Sequence, residues 1–318
     1  MAVNAFIFPG QGSQSVGMGR DLAAAFAPAR EVFEEVDEVL KQKLSKLMFE
    51  GPIEELTLTE NAQPALMAVS LAVLRVLESE GKVNLKAKAI LVAGHSLGEY
   101  SALAAAGSFT VAEAAALLKL RGKSMQAAVA PGVGAMAALL GVEMAMAQEI
   151  CAEAAKGPDG HEEVGCANDN GGGQVVISGI KAAVERAIEI AKAKGVKRAM
   201  LLPVSAPFHC KLMQPAAEAM HKALEITRPR APMVPLVANV TAAKVTDPAT
   251  IAQLLVEQVT GTVRWRESVE SMVDFGVDRF IELGAGKVLA GLVKRIAPEA
   301  PTISVGSPAD IEALLKVL

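Results

Sequence analysis

The stretch Ile90-Leu91-Val92-Ala93-Gly94-His95-Ser96-Leu97-Gly98-Glu99-Tyr100 joins an apolar run, typical of a buried strand, to a pattern of helical period. It contains G-x-S-x-G. In a sharp strand-to-helix turn, Gly94 and Gly98 remove the Cβ atoms that would clash, and Ser96 is held out at the carboxyl edge of a sheet. The helix N-terminus behind it favours developing negative charge. The segment predicts an α/β fold with Ser96 as nucleophile; a glycine-rich turn with an incidental serine is the alternative.

Short apolar runs alternate with longer stretches of helical period along the first part of the chain. Residues 6–8 and 89–93 are predicted strands, and residues 21–40, 64–80, 97–106 and 111–129 are predicted helices. Thr110 and Glu113 form a capping-box pattern that marks the start of the last of these helices. Such alternation is typical of a parallel sheet with crossover helices.

The order of predicted elements changes after Pro131-Gly132. Strands at 135–140, 164–167, 174–178 and 198–202 and helices at 143–156 and 181–194 follow the order βαββαβ, which is typical of a ferredoxin-like unit. We therefore expect an α/β fold in which a large α/β-hydrolase-like domain with a parallel sheet (residues 1–131 and 204–318) contains an inserted ferredoxin-like subdomain (residues 132–203). Further strands of the large domain are expected around residues 234–240 and 280–283.

The composition argues against several classes of protein. The chain has 318 residues, of which 52% are hydrophobic, so a large buried core is expected. Aromatic residues are only 3% and the formal net charge is −4, so we expect neither a nucleic-acid platform nor a basic surface for an anionic membrane. The three cysteines are widely spaced and fit neither a disulfide framework nor a metal site, which favours a reducing, cytoplasmic setting.

The apolar stretches of the sequence do not suggest a membrane segment. The apolar run near the N-terminus has no basic lead-in and no cleavage pattern, so it predicts a first strand and not a signal peptide. Gly, Ser or charged residues interrupt each apolar stretch before the ~20 residues needed to cross a bilayer. We expect a soluble protein.

A serine nucleophile needs a base, and the chain has only four histidines: His95, His161, His209 and His221. His95 is adjacent to the serine and should point away from it in a tight turn. His161 lies in a polar stretch and His221 in a helical pattern. His209 follows a predicted strand, in a loop stiffened by Pro207 that can present an imidazole at the same sheet edge. We therefore predict that His209 is the base; a structural histidine is the alternative.

An oxyanion formed at the serine needs hydrogen-bond donors. The N–H of Leu97, the residue after the nucleophile, is the usual first donor. The loop Pro9-Gly10-Gln11-Gly12-Ser13-Gln14 follows the first predicted strand, and its glycines let the backbone approach a ligand. The N–H of Gln11 is therefore a candidate second donor; a simple strand-end turn is the alternative.

Arg121 interrupts an otherwise apolar helical pattern, at a position that the periodicity assigns to the inner half of the helix. A guanidinium near the nucleophile can grip a carboxylate, and a substrate without that carboxylate would leave the desolvated cation unpaired. Arg121 is therefore a candidate for carboxylate recognition. The alternative is a surface arginine whose charged end reaches solvent.

Six segments together carry a more specific signal: PGQGSQ (9–14), NAQPAL (61–66), GHSLGEY (94–100), RG (121–122), PFH (207–209) and VANVT (237–241). In this order and over nearly the whole chain, they resemble the malonyl-CoA:acyl-carrier-protein transacylases. Two places depart from the family pattern. Gly284-Ala285-Gly286 stands where the family often has a proline after the first glycine, and residues 168–174 are richer in glycine than expected.

The resemblance implies a role for each candidate residue. Gln258 would lie near the histidine and orient it through a carbonyl oxygen in place of a triad carboxylate. Phe208, directly before the histidine, resembles the form associated with malonyl units. The other implied roles are nucleophile for Ser96, base for His209, oxyanion donor for Gln11 and Leu97, and clamp of the malonyl carboxylate for Arg121.

The implied chemistry is a ping-pong transfer of the malonyl group from malonyl-CoA to the phosphopantetheine thiol of acyl carrier protein, in support of fatty-acid synthesis. No metal or redox cofactor is required, and we expect a monomer. The carrier protein in this family is acidic, and a basic segment offers it a docking surface; a solvated helix face is the alternative. The basic residues of that segment are Lys181, Arg186, Lys192, Lys194, Lys197 and Arg198.

Two other functions use the same features. A serine hydrolase or thioesterase shares the nucleophile turn, but its acidic residue commonly lies between serine and histidine in the chain. Here Asp159 and Asp169 are available in that interval, and both fall inside the inserted unit. A noncatalytic scaffold that binds the carrier protein is the second alternative.

Overall fold

The computed structural model describes residues 2–318 as an α/β molecule with two main sheets. Its strands are β1 (Asn4–Phe8), β2 (Leu91–Gly94), β3 (Gly134–Leu140), β4 (Lys156–Gly157), β5 (Gly160–His161), β6 (Val164–Asp169), β7 (Gln174–Ile180), β8 (Arg198–Leu201), β9 (Leu236–Val237), β10 (Lys244–Val245), β11 (Arg279–Leu283) and β12 (Thr302–Val305). Its helices are α1 (Arg20–Ala25), α2 (Ala27–Leu40), α3 (Leu44–Glu50), α4 (Ile53–Thr57), α5 (Thr59–Ser79), α6 (Leu85–Lys88), α7 (Gly98–Ala105), α8 (Val111–Ala127), α9 (Met144–Ala154), α10 (Lys181–Ala193), α11 (Gln214–Ile226), α12 (Pro248–Thr260), α13 (Trp265–Asp274), α14 (Val288–Ile296) and α15 (Pro308–Leu315).

The larger sheet has six strands in the order β10-β9-β2-β1-β11-β12, parallel except for the edge strand β10. Its central strand β1 is buried on both faces. Phe6 and Phe8 pack on the side of α2, α5 and α8, whereas Ala5 and Ile7 pack on the side of α13 and α14. Helices on both faces are what a parallel sheet of this kind requires. Because Phe8 pairs with Gly94, the loops that follow β1 and β2 begin side by side.

The smaller sheet is antiparallel, with strand order β6-β7-β3-β8. With α9 and α10 it forms the expected βαββαβ unit, and its own apolar cluster lies between the sheet and these helices. It is joined to the larger unit near Val263, whose N–H donates to Ala167 O at 2.8 Å and whose carbonyl accepts from Asp169 N at 2.9 Å. This junction brings the end of β6 close to the carboxyl edge of the larger sheet.

Helix α5 is longer than the sequence pattern predicts. It begins at Thr59 and continues through Pro64, where the sequence pattern predicts the start of the helix. By length and composition it could span a bilayer. Most of its residues are buried, however, because it packs against α2 and α8. This burial is typical of a core helix in a soluble protein.

Other predicted elements differ in length. The predicted helix 21–40 is two helices, because Phe26 between them is extended and Pro28 lies in the first turn of α2, where its missing N–H costs nothing. The predicted strand 234–240 is reduced to Leu236–Val237. The short hairpin β4–β5 in the polar stretch was not predicted. Gly171, Gly172 and Gly173 all have positive φ, of 72°, 58° and 72°, which accounts for the unexpected glycine content there.

Candidate active site

Ser96 lies at the sharp turn between β2 and α7. Its φ is +54°, a left-handed conformation that is strained for a residue with a Cβ. The turn is tight: a Cβ on Gly94 would lie 1.9 Å from the carbonyl carbon of Gly98, and one on Gly98 would lie 2.2 Å from Phe8 O. The N–H of Ser96 is held by Asn239 Oδ1 at 2.8 Å. The geometry is that of a nucleophile elbow.

His209 is the histidine that meets this serine. Its Nε2 lies 2.8 Å from Ser96 Oγ, and its Nδ1 lies 2.8 Å from the backbone oxygen of Gln258. A carbonyl can only accept, so Nδ1 carries the hydrogen and Nε2 is free to accept the serine proton. Gln258 is in the last turn of α12, where carbonyls lack helical partners. The imidazole is therefore oriented by a helix terminus and not by a carboxylate.

Burial makes His209 a weak base. Desolvation is the main cause that lowers its pKa from 6.5 to about 3, with a contribution from the positive charge of Arg121. The residue is only 6% exposed. His209 is consequently neutral across the physiological pH range, in the form that can accept a proton.

Arg121 is fully enclosed and points at the nucleophile. It is 1% exposed, and its Nη2 donates to Ser96 Oγ at 3.2 Å and to Gln258 Oε1 at 2.7 Å. Its Nη1 donates to Gln63 Oε1 at 2.7 Å. Within residues 2–318 it forms no ion pair with a carboxylate, and its Nε has no hydrogen-bond partner. A buried cation with spare donors beside a nucleophile is suited to bind an anionic group of a substrate.

Gln258 connects the base with the cation. Its backbone oxygen accepts from His209, and its side-chain oxygen accepts from Arg121. Its Nε2 donates to Ser96 O at 2.9 Å and to Glu99 Oε2 at 2.8 Å. Asn239 adds a further link, because its Nδ2 donates to Gly94 O at 2.7 Å. Both amide side chains are completely buried, so the network is shielded from water.

The expected oxyanion donors lie on adjacent loops. Gln11 follows β1, Leu97 precedes α7, and both line the same cavity as Ser96. In the described part of the chain, neither N–H donates to a protein acceptor. The side-chain oxygen of Gln11 accepts from Thr59 Oγ1 at 2.9 Å, which fixes that loop against α5. Two unused N–H groups near the nucleophile are what an oxyanion hole requires.

A cavity of about 470 Å³ opens between the two sheets above Ser96. Phe208 is 9% exposed and forms part of its wall, next to the base. Met136 and Val176 of the smaller sheet and Leu289 and Leu292 of α14 supply much of the apolar lining. The cavity therefore offers an apolar channel that ends at a polar, cationic floor, a form suited to an acyl chain with a charged end.

The remaining sequence candidates lie outside this centre or at its edge. His95 turns away from the serine, and its Nε2 lies 2.9 Å from Asn170 Oδ1. His161 and His221 are exposed on the surface. Asp169 pairs with Arg266 at 2.9 Å, and Asp159 lies in the exposed turn between β4 and β5. Neither aspartate contacts His209, so the geometry gives no acidic triad partner from the inserted unit.

Three residues of the site were not assigned a role from the sequence. Gln63 and Asn239 belong to the NAQPAL and VANVT segments, so the family resemblance carried a signal for them. Glu99 follows the nucleophile by three residues, and its burial at 1% exposure could not be read from the amphipathic pattern. Among residues 2–318, no group of three or more His, Cys, Asp or Glu side chains could hold a metal ion.

The proposed basic docking segment is largely neutralised by neighbouring acids. Lys181 lies near Glu185, and Lys192 near Glu189. Lys194 pairs with Glu153, and Arg186 pairs with Glu162. These pairs lie at the surface, where ion pairs are weak and side chains exchange partners easily. A local positive field therefore depends mostly on Lys197 and Arg198.

Comparisons with known proteins give a consistent family. The model of the acyl transferase domain family matches residues 5–306. The malonyl CoA-acyl carrier protein transacylase of Bacillus subtilis (strain 168) is 45% identical over 318 residues, covering 100% of this chain and 98% of that protein. That of Escherichia coli (strain K12) is 46% identical over 313 residues, covering 98% and 99%.

Solved structures agree. The acyl-carrier-protein-S-malonyltransferase of Bartonella henselae has a TM-score of 0.95 at 56% identity, with 99% of each chain covered. A malonyl-transacylase solved with a type II polyketide synthase acyl-carrier protein has a TM-score of 0.94 at 42% identity, again with 99% of each chain covered. The chain belongs to the acyl transferase domain family and, within it, to the malonyl CoA-acyl carrier protein transacylases.

Proposed function

We propose that this protein transfers the malonyl group of malonyl-CoA to the phosphopantetheine thiol of acyl carrier protein through a malonyl ester on Ser96. The observation that carries the proposal is the buried Arg121 guanidinium, 3.2 Å from Ser96 Oγ and without a carboxylate of its own. A malonyl thioester brings that carboxylate. The names of the relatives, in which malonyl-CoA and acyl carrier protein are the stated substrates, support the same substrates here.

The first half-reaction forms the acyl-enzyme. His209 Nε2 takes the proton of Ser96 Oγ as the oxygen attacks the thioester carbonyl. The N–H groups of Gln11 and Leu97 stabilise the oxyanion, and Arg121 holds the malonyl carboxylate. His209 then returns the proton to the departing sulfur, and CoA leaves as a thiol. The imidazolium formed in between is stabilised by the carbonyl of Gln258 at the negative end of α12.

The second half-reaction repeats these steps with a different thiol. The phosphopantetheine arm enters the cavity that CoA has left, loses its proton to His209, and attacks the Ser96 ester. The malonyl group leaves on the carrier, and the serine is restored. Each step is a proton transfer or an acyl transfer, so no metal or redox cofactor is needed. Three free cysteines support a cytoplasmic setting, where the product would serve fatty-acid synthesis.

Intact mass spectrometry tests this proposal directly. After mixing with malonyl-CoA, we expect the wild-type protein to gain one malonyl group, and Ser96→Ala to gain none. Ser101→Ala is a matched control, because Ser101 is a fully buried serine on α7, the helix that follows Ser96, and its hydroxyl lacks a hydrogen-bond partner within residues 2–318. It should acquire the adduct as the wild type does.

Addition of the acyl carrier protein then separates transfer from hydrolysis. Movement of the adduct from Ser96 to the carrier thiol supports the proposal. Release of free malonate at the same rate with and without the carrier would identify a thioesterase. An adduct that does not depend on Ser96, or none at all, would exclude the serine mechanism.

A further inference from the structure

Glu99 is a buried carboxylate that the transfer mechanism does not use. It lies in the first turn of α7, three residues after the nucleophile, and is 1% exposed. Burying a carboxylate costs free energy unless other groups pair with it or donate hydrogen bonds to it, so its partners are informative. Its Oε2 accepts from Gln258 Nε2 at 2.8 Å and from the N–H of Asn239 at 3.2 Å.

These partners are the residues that shape the catalytic centre. The Gln258 side chain has an oxygen end and a nitrogen end, and only the oxygen can accept from Arg121. A carboxylate can only accept, so Glu99 requires the nitrogen end to face it. Ser96 O also accepts from Gln258 Nε2, at 2.9 Å. With Nε2 held by these two acceptors, Gln258 Oε1 is directed at the guanidinium of Arg121.

Glu99 also balances charge. Arg121 is enclosed with no ion-pair partner among the described residues. Burial lowers its pKa, while Tyr100 and the carboxyl group of Glu99 oppose this shift. Burial raises the pKa of Glu99 to about 7, whereas the hydrogen bonds from Gln258 and Asn239 and the charge of Arg121 favour its ionised form. The groups that favour ionisation are thus those of the same network.

The chain of hydrogen bonds continues beyond the cation. Arg121 donates to Gln63, whose Nε2 donates to Thr59 Oγ1 at 2.9 Å, and that hydroxyl donates to Gln11 Oε1. A single path of buried polar groups thus runs from Glu99 to the loop that carries an oxyanion donor. Such a network is rigid only when each member is satisfied.

We propose that Glu99 is a positioning residue: its carboxylate fixes the orientation of the Gln258 amide and thereby directs the Arg121 guanidinium toward the acyl group on Ser96. This inference rests on the proposed function, because the guanidinium matters most for a substrate with a carboxylate. The base is affected less. His209 is held by the backbone oxygen of Gln258, which the helix α12 fixes whatever the side chain does.

The test compares acylation of Ser96 by malonyl-CoA and by acetyl-CoA, which lacks the carboxylate. Glu99→Gln keeps the size of the side chain but removes its charge and allows its amide to present either end. We expect kcat/KM for malonyl-CoA to fall about 10-fold, the effect of replacing one charge-assisted hydrogen bond by a neutral one. The value for acetyl-CoA should change by less than about threefold, since the base remains in place.

Two controls separate positioning from a general loss of structure. Ser101→Ala alters a buried polar group on the same helix and should leave the ratio of the malonyl to the acetyl rate unchanged. Glu99→Asp retains the charge and should recover part of that ratio. Thermal melting of each variant reports folding independently of activity.

The outcomes distinguish this inference from the function on which it rests. If wild-type Ser96 is not malonylated at all, the proposed function fails, and the inference fails with it. If the wild type is malonylated and Glu99→Gln lowers both rates equally, or changes neither, Glu99 has no positioning role and the function stands. Only a selective fall in the malonyl rate, partly restored by Glu99→Asp, supports the inference.

Discussion

Replacing Arg121 by alanine should convert a malonyl-selective site into one that handles acyl groups without a carboxylate almost as well. A guanidinium has five N–H groups. Three of them donate to Gln63, Gln258 and Ser96, so two remain for the carboxylate of a substrate. Each hydrogen bond to a charged group contributes about 1.5–3 kcal/mol, so two contribute about 3–6 kcal/mol.

At about 1.4 kcal/mol per tenfold, this energy corresponds to a fall of roughly 10² to 10⁴ in kcat/KM for malonyl-CoA. The rate with acetyl-CoA should fall much less. That reaction loses only the contact of Arg121 with Ser96 Oγ and the fixed orientation of the Gln63 and Gln258 side-chain amides. Rapid-quench acylation with each donor measures both values. Arg121→Lys is the matched control: it keeps the charge but not the planar array of donors, and it should lie between the wild type and alanine.

Equal losses of kcat/KM with malonyl-CoA and with acetyl-CoA would refute the role of Arg121 in binding the malonyl carboxylate. They would mean that the substitution acts on Ser96 or on the fold. Arg121→Ala also leaves the side-chain oxygens of Gln63 and Gln258 without a donor, at a cost of about 1–3 kcal/mol each in stability. The stability of each variant must therefore be measured by urea unfolding. Rates are then compared only between variants that are folded in buffer without urea.

Three further predictions concern other parts of the molecule. Because burial and a neighbouring cation hold the pKa of His209 at about 3, the base stays unprotonated as pH falls, and kcat/KM for acylation by acetyl-CoA, which does not depend on the charge of Glu99, should be flat from about pH 8 to about pH 5; an acidic limb near 6.5 with this donor, measured by stopped-flow, would contradict this. Gly94→Ala should destabilise the fold by about 3 kcal/mol or more, seen in urea unfolding, because its Cβ would overlap Gly98; a stable, active variant would rule out the tight turn. Reversal of Lys197 and Arg198 to Glu should raise the KM for acyl carrier protein while sparing acylation by malonyl-CoA, and an unchanged KM would contradict docking of the carrier on this basic segment.

The sequence predicted those parts of the site that depend on local pattern. The elbow around Ser96 follows from glycine spacing between a strand and a helix, and the inserted βαββαβ unit follows from the order of the elements. The choice of His209 among four histidines needed only the loop after a strand. Arg121 was suggested by a charge on the inner face of a helix, which the structure places 3.2 Å from the nucleophile.

The remaining features depend on contacts between distant segments. Glu99 lies 159 residues from Gln258 in the chain, and their hydrogen bond leaves no mark on the local pattern around either residue. Its helix is buried on nearly every side, so amphipathic periodicity could not distinguish a buried carboxylate from a solvated one. The start of α5 was misplaced for a similar reason, since Pro64 is typical of a first turn but is accommodated inside the helix.

A neutral hydrogen-bond partner at His209 Nδ1 is consistent with both the malonyl group that is transferred and the thiol that accepts it. A triad carboxylate beside His209 would pair with Arg121 and compete with the malonyl group, whereas the carbonyl of Gln258 orients the ring without doing so. Burial and the charge of Arg121 lower the pKa of His209 to about 3, no carboxylate offsets them at Nδ1, and the base is therefore weak. A weak base deprotonates a thiol, with a pKa of about 8.5, far more readily than water, with a pKa of about 15.7. The imidazolium that results is a strong acid that returns its proton readily to a departing sulfur. The carbonyl-held histidine thus favours exchange between two thiols over hydrolysis.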